Sequence, residues 1–266
     1  MSTGNVFAVL GLGEAGSLIA RDLVRAGRTV RGWDPDLHGD LSEIPIAESH
    51  RAAVEGADIV ISVNWAIVAE DVARETVPFL APGKIFADHN TAGPALKARL
   101  AEIIEPSGAA FVDVAMMAPV PPLGIKVPMF LAGSGARAYA ELLRPLGTPI
   151  GFIGTRPGEA NARKLTRSVY YKGFAAAILE ALAAARAVGV EDWLRSDIIK
   201  SFVEADETTL TRMVEGTHKH AKRRAHEMED ASAMLEELGI PPLIARATAE
   251  SFTRLAEKGA DLVPAG

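Results

Sequence analysis

The chain's 266 residues are 48% hydrophobic and 23% charged, an ordinary globular mix long enough for one large domain or two modest ones. The absence of cysteine excludes a disulfide scaffold, thiolate-held metal and a thiol nucleophile, and a net charge of −6 argues against a general nucleic-acid binder. No apolar run reaches the ~18 residues of a membrane span, and the first residues lack the basic flank of a secretory signal, so the expectation is a soluble cytoplasmic protein with no membrane or nucleic-acid partner.

The first half alternates between two periodicities. Val6–Leu10 is a short apolar run that stops at glycine, as a buried parallel strand does. Residues 17–26 carry Leu18, Ile19, Leu23 and Val24 at helical spacing and end at Gly27, a helix stop. Thr29–Trp33 reads as a strand ending at Asp34-Pro35, and 57–63 as another buried strand. A helix is expected through 66–77, a strand at 84–87, a helix at Pro94–Ile104, and later strands at 110–114 and 127–132. Such alternation predicts an α/β fold of the Rossmann type, a doubly wound, mostly parallel sheet covered by helices on both faces. After Pro157-Gly158 the pattern changes. Residues 161–188 are Ala-rich and helix-favouring, and Gly189 and Pro241-Pro242 punctuate further helical stretches. The expected organisation is an α/β domain over 1–155 and an all-helical domain over 156–266.

Gly11-Leu12-Gly13-Glu14-Ala15-Gly16 is a GxGxxG between an expected strand and an expected helix. In that context the first glycine permits a tight turn, the second lets backbone approach a pyrophosphate, and the third lets the helix pack on the strand. The amino end of the helix adds unpaired N–H groups and partial positive charge. Leu12, Glu14 and Ala15 line the same loop. Asp34 closes the second strand near the ~20-residue spacing at which a carboxylate accepts from ribose hydroxyls. It also begins a turn before Pro35. No arginine follows it to clamp a 2′-phosphate, which favours NAD, with NADP not excluded. Asn64, after the third strand, joins the expected cofactor-binding set.

Three further segments sit beside this loop: Asp88-His89-Asn90-Thr91-Ala92-Gly93-Pro94, Asp113-Val114-Ala115-Met116-Met117-Ala118-Pro119, and Lys164-Leu165-Thr166-Arg167-Ser168. In this order and spacing the chain resembles the β-hydroxyacid dehydrogenase family, which includes 3-hydroxyisobutyrate and 6-phosphogluconate dehydrogenases. Its helical part resembles a branch whose C-terminal domain is phosphogluconate-dehydrogenase-like. The resemblance implies hydride transfer between a nicotinamide and an alcohol carbon of a small-molecule substrate, and a homodimer with interlocked C-terminal helices; the alternatives are an imine reductase of the same architecture and a non-catalytic dinucleotide-binding sensor. It also implies that Lys164 is the catalytic lysine and that the loop bearing Asn90 and Thr91 lies between nicotinamide and substrate.

Residue by residue, the match is partial. Asp88, Thr91 and Pro94 fit the family's D-x-S-T-x-x-P loop, while Asn90 replaces its serine. Thr91 and Pro94 also suit a helix start. His89 reads as a packed or solvated histidine rather than a proton carrier. Where the family places Ser-Gly-Gly for a substrate carboxylate, this chain has Met117-Ala118-Pro119. A thioether and a proline cannot hold a carboxylate in that way. Met116 and Met117 are then either an apolar ligand wall or core filler. Lys164, Ser168 and Lys172 fall four apart, on one helix face. Ser168 stands where the family has asparagine, and Lys172 is a candidate for the missing anion anchor. The basic, His-rich stretch 212–224 reads as a solvated or subunit-facing helix. Its His218 and His220 do not share a face, so no metal is expected.

Overall fold

The computed structural model describes residues 5–259. The described residues divide into two compact units, one ending at Arg167 and the other beginning at Ser168. The composition placed the change of character near residue 155. The unit boundary falls later because the first turns of the long helix are bonded to the α/β unit, as described below.

The first unit runs β1 (Val6–Leu10), α1 (Glu14–Arg25), β2 (Thr29–Trp33), α2 (His50–Val54), β3 (Ile59–Ser62), α3 (Ala69–Thr76), β4 (Ile85–Asp88), α4 (Pro94–Ile104), β5 (Ala110–Met116), β6 (Met129–Ala132), α5 (Ala136–Leu143) and β7 (Ile150–Gly154). The strands form one seven-stranded sheet in the order β2-β1-β3-β4-β5-β6-β7. All neighbours pair in parallel except β5 and β6. This is the expected Rossmann-like architecture, with strand order reversing between β1 and β3. Ligands of open α/β sheets bind at the carboxyl end of such a switch point.

Alternation along the strands explains why both faces are covered. Phe7 and Val9 of β1 enter one core with Ile19, Leu23, Ile61, Val112, Val114 and Tyr139. Ala8 and Leu10 enter the other with Val60, Phe86, Leu100, Ile104 and Phe111. The expected helix over 66–77 is shorter than its pattern. It begins with a 3-10 turn at Ala66–Val68 and gives way to another at Val77–Phe79, where Pro78 has no N–H to continue the ladder. The strand expected at 110–114 runs on to Met116. Three elements, α2, α5 and β7, lacked a clear periodic signal.

The second unit holds most of α6 (Glu159–Ala187) and all of α7 (Glu191–Val203), α8 (Glu207–Glu237) and α9 (Leu243–Lys258). Its small core is Ala184, Leu235 and Ala245 with Met228 and Ile240. Glu180 of α6 accepts from the backbone N–H groups of Ile244 (2.9 Å) and Ala245 (2.8 Å), which caps α9. Asp206 caps α8 through Thr209 N at 2.7 Å, and α8 is kinked at His220. Among the described residues no helix is long and apolar enough to cross a membrane.

Candidate active site

Pairing register places Leu10, Ser62, Asp88 and Asp113 side by side at the carboxyl edge of four adjacent parallel strands. The loops that follow these strands carry the expected site residues.

The glycine loop has distinct tasks at its three glycines. Gly11 has φ +99°, and a Cβ there would meet Val63 O at 2.0 Å. A Cβ on Gly16 would meet Gly11 O at 1.9 Å. Both are demanded by the fold itself. Gly13 is exposed, and a Cβ there would have no neighbour within 4 Å. Gly13 is also the N-cap of α1 and supplies no side chain to its first N–H groups. This open backbone at a helix amino end fits the pyrophosphate of a dinucleotide. Asp34 lies against the loop. Its Oδ2 accepts from Leu12 N at 2.7 Å and its Oδ1 from Asp36 N at 2.9 Å.

Asn64 and Asn90 lock the next two loops together. Asn90 Oδ1 accepts from Asn64 N at 2.6 Å, and Asn90 Nδ2 lies 2.9 Å from Asn64 Oδ1 and 2.6 Å from Asp88 Oδ1. Asn90 is therefore buried, whereas Thr91 is exposed. Lys164, in the second turn of α6, donates from Nζ to Thr91 Oγ1 at 2.7 Å. Thr91 and Lys164, far apart in sequence, thus meet at the edge where the glycine loop opens. Met116 packs on the main core. Met117 is half-buried in a small cluster with Ala115, Ala132 and Ala160. The carbonyl of Met117 faces Arg167 Nη1 at 3.4 Å. Ser168, half-buried, and Lys172, exposed, lie further along α6 in the second unit.

Under these loops lies a buried ionic group that pattern reading missed. Lys97 of α4 has no exposed surface, yet its Nζ sits 2.5 Å from Asp88 Oδ2 and 3.5 Å from Asp113 Oδ1. It also donates to Asp88 O at 2.9 Å. Burial pushes the Asp88 carboxyl above the usual carboxylate range, against the pull of the Lys97 ammonium. Asp113 Oδ2 accepts from Gly158 N (2.9 Å), Ala160 N (3.1 Å) and Asn161 N (3.2 Å), which caps α6. The buried Asn161 also donates to Asp113 Oδ1 and to Val114 O. A sequence signal for Lys97 existed. Positions 97, 100, 101 and 104 form the buried stripe of α4, and a lysine on such a stripe needs a buried partner.

Of the two environments expected for His89, packed or solvated, it has the packed one. Its Nε2 lies 2.9 Å from the hydroxyl of the buried Tyr139, and burial, with the charges of Lys97 and Lys164, pushes its pKa down to about 3. The unfolded chain therefore binds a proton near pH 6.5 that the folded chain refuses until about pH 3, so stability falls as pH falls through this window. Going from about pH 7.5 to about pH 5 should remove about 2 kcal/mol through His89 alone. Thermal melts of the His89→Gln variant should show that much less acid sensitivity than wild type. Buried His50, also shifted down, leaves a residual slope of the same sign. Equal acid sensitivity in the two proteins would contradict the assignment.

Among the described residues no group of His, Asp and Glu gathers as a metal site would require. His226, just beyond the basic stretch, pairs with Glu229 at 2.9 Å.

Known proteins match this arrangement. Residues 6–120 match the NAD binding domain of 6-phosphogluconate dehydrogenase, and residues 185–255 match a domain of unknown function, DUF1932. A conserved hypothetical protein from Sinorhizobium meliloti 1021 is 30% identical, with 99% of this chain and 92% of that one covered and a TM-score of 0.62. The conserved protein MTH1747, described as structurally similar to 3-hydroxyacid dehydrogenases, is 26% identical over 95% of this chain and 97% of its own, with a TM-score of 0.59. An imine reductase from Myxococcus stipitatus, solved with NADP+, shares the fold at a TM-score of 0.79 and 21% identity, covering 96% and 95% of the two chains. The glycine loop with its open second position agrees with these matches: the chain carries an NAD binding domain of the 6-phosphogluconate dehydrogenase type followed by a DUF1932 domain, and it belongs to one family with the Sinorhizobium meliloti protein.

Proposed function

We propose that the protein is an oxidoreductase that moves a hydride between a nicotinamide and a small hydroxy compound of the 3-hydroxy-acid kind, or its carbonyl. The observation that carries this reading is the 2.7 Å hydrogen bond from Lys164 Nζ to Thr91 Oγ1 beside the glycine loop. When bound, the nicotinamide supplies or accepts the hydride. Gly11, Leu12, Gly13, Glu14, Ala15 and Gly16 shape the loop that would hold its pyrophosphate, and Asn64 fixes the neighbouring loop. In reduction the Lys164 ammonium polarises the carbonyl oxygen and releases a proton from Nζ to it. In oxidation the neutral amine takes the hydroxyl proton. Thr91 accepts from Nζ and so orients it. Met117 lends the substrate's side an apolar surface, while Ser168 and Lys172 keep their substrate roles on helix spacing alone.

Asp34 supports NAD over NADP. Its carboxylate abuts Leu12 N, and residues 35–38 offer no arginine or lysine to offset a 2′-phosphate. The second unit supports a homodimer. It exposes Val169 (79%), Ile199 (64%), Val203 (81%) and Leu210 (63%), more apolar surface than a lone helical unit leaves in water. Light scattering that gave a monomer's mass would overturn that part.

Imine reduction is a second reading, favoured by the half-buried Met117 where the resembled family holds a carboxylate. Lys164 weighs against it, because an imine nitrogen needs no lysine to manage a hydroxyl proton. The test is oxidation or formation of NADH and NADPH with a panel of 3-hydroxy acids, aldehydes and cyclic imines. Turnover of hydroxy acids or aldehydes with NADH is the expected result. Turnover of imines alone selects the second reading, a preference for NADPH removes the role given to Asp34, and tight NADH binding without turnover ends both.

A further inference from the structure

The site described above rests on a contact between the exposed Thr91 and the half-buried Lys164, whose four-carbon stem a single hydrogen bond does not immobilise. What lies directly beneath them is rigid and buried.

Two loops meet there. The first follows β4, where Asp88 Oδ1 is 2.6 Å from Asn90 Nδ2, one residue before Thr91. The second is the start of α6, whose first N–H groups, at Gly158, Ala160 and Asn161, all converge on Asp113 Oδ2. Lys164 follows Asn161 by three residues, just under one helical turn. Asp88 and Asp113 are cross-strand partners in the β4–β5 register, and the single Lys97 ammonium reaches both. Asn161 ties the arms a second time by accepting from Ala92 N at 3.4 Å while donating to Asp113.

We propose that Lys97, Asp113 and Asn161 are positioning residues that set Lys164 against Thr91 from below. A buried pair of carboxylates sharing one ammonium is a costly way to stabilise a fold, since apolar residues of similar volume often do as well or better. It is a good way to fix register between two loops, because the Lys97–Asp88 bond is short and Asp113 is held in direction by its bonds to Asn161 and the start of α6. The three buried side chains convert the sheet's fixed strand spacing into a fixed place for an amine at its surface. This inference rests on the reading of Lys164 as the acid–base group only for its importance to catalysis. The positioning itself is readable without turnover.

The experiment is competitive reductive methylation of the intact protein with formaldehyde and a hydride donor, read at each lysine by peptide mass spectrometry. The exposed Lys126 and Lys222 serve as internal standards. In the Asp113→Asn variant the Lys164 amine should be labelled about fivefold faster than in wild type, the factor that loss of one ordinary hydrogen bond carries. The standards should not change, and a thermal melt should show a folded protein at the assay temperature. Should Asp113→Asn not fold, Asn161→Ala reads the same coupling, because it leaves the Gly158 and Ala160 bonds to Asp113 in place. An unchanged Lys164 rate in a folded variant overturns the proposal. If Lys164 responds but the wild type turns over no panel compound, positioning stands and the proposed function falls. If turnover is found but labelling ignores both substitutions, the reverse holds.

Discussion

Replacement of Lys164 by methionine should lower turnover about 10³-fold while leaving NADH affinity within about twofold, as the loss of one general acid–base group predicts. The separation follows from where the groups sit. The glycine loop and Asp34 are built on β1, α1 and β2, whereas Lys164 comes from α6 and touches Thr91 beyond β4. Stability should change little, because the side chain is only half-buried. Arginine should not rescue activity. A guanidinium keeps its proton at every working pH and is planar where the amine is compact. Steady-state rates on a turned-over substrate, fluorescence titration of NADH and thermal melts check these four points. A Lys164→Met enzyme with near wild-type kcat would remove the lysine from the chemistry.

The second large effect is a contrast among the three glycines. Gly11→Ala should cost about 3 kcal/mol or more, because its φ of +99° is strained for any side chain and the new Cβ would lie 2.0 Å from the Val63 carbonyl oxygen. Gly16→Ala, whose Cβ would lie 1.9 Å from Gly11 O, belongs to the same class. Gly13→Ala adds a methyl to open space and should melt with the wild type. Its NADH affinity should nevertheless fall about tenfold or more, since that methyl occupies the surface a pyrophosphate must approach. Thermal melts beside NADH titrations separate the two classes. A Gly13→Ala protein that binds NADH as wild type does would mean that the loop holds no pyrophosphate.

The parts of the fold that were legible in the chain were those with one dominant local signal. Val6–Leu10, Thr29–Trp33 and Pro94–Ile104 begin and end as their apolar periods and punctuating residues indicated. The strand β7 did not announce itself, because its five residues include Gly151 and Gly154 and none is fully buried. The reversal of β6 was hidden for a different reason, since strand direction is set by the connection and leaves little mark on composition. At the site, Lys164, Thr91 and the glycine loop were visible through a motif. Lys97 was visible only as a charge on an apolar stripe, and its partners lie on two strands whose adjacency no local pattern encodes. Asn90 shows the opposite limit. Its type and position suggested a polar face towards a ligand, while its buried amide braces two loops.

Because β6 runs antiparallel to β5, the connection from Met116 to Met129 leaves and returns at the same rim of the sheet as the 89–93 turn. Met117 N donating to Pro128 O at 2.8 Å pins the neck of this excursion. Val120, Ile125 and Val127 hold the excursion in the main core, which leaves its exposed tip at Pro122 and Leu123 as the part that can vary without moving any strand. Variation confined to this detour would let related proteins change which molecules they admit while the apparatus that grips the coenzyme stays constant.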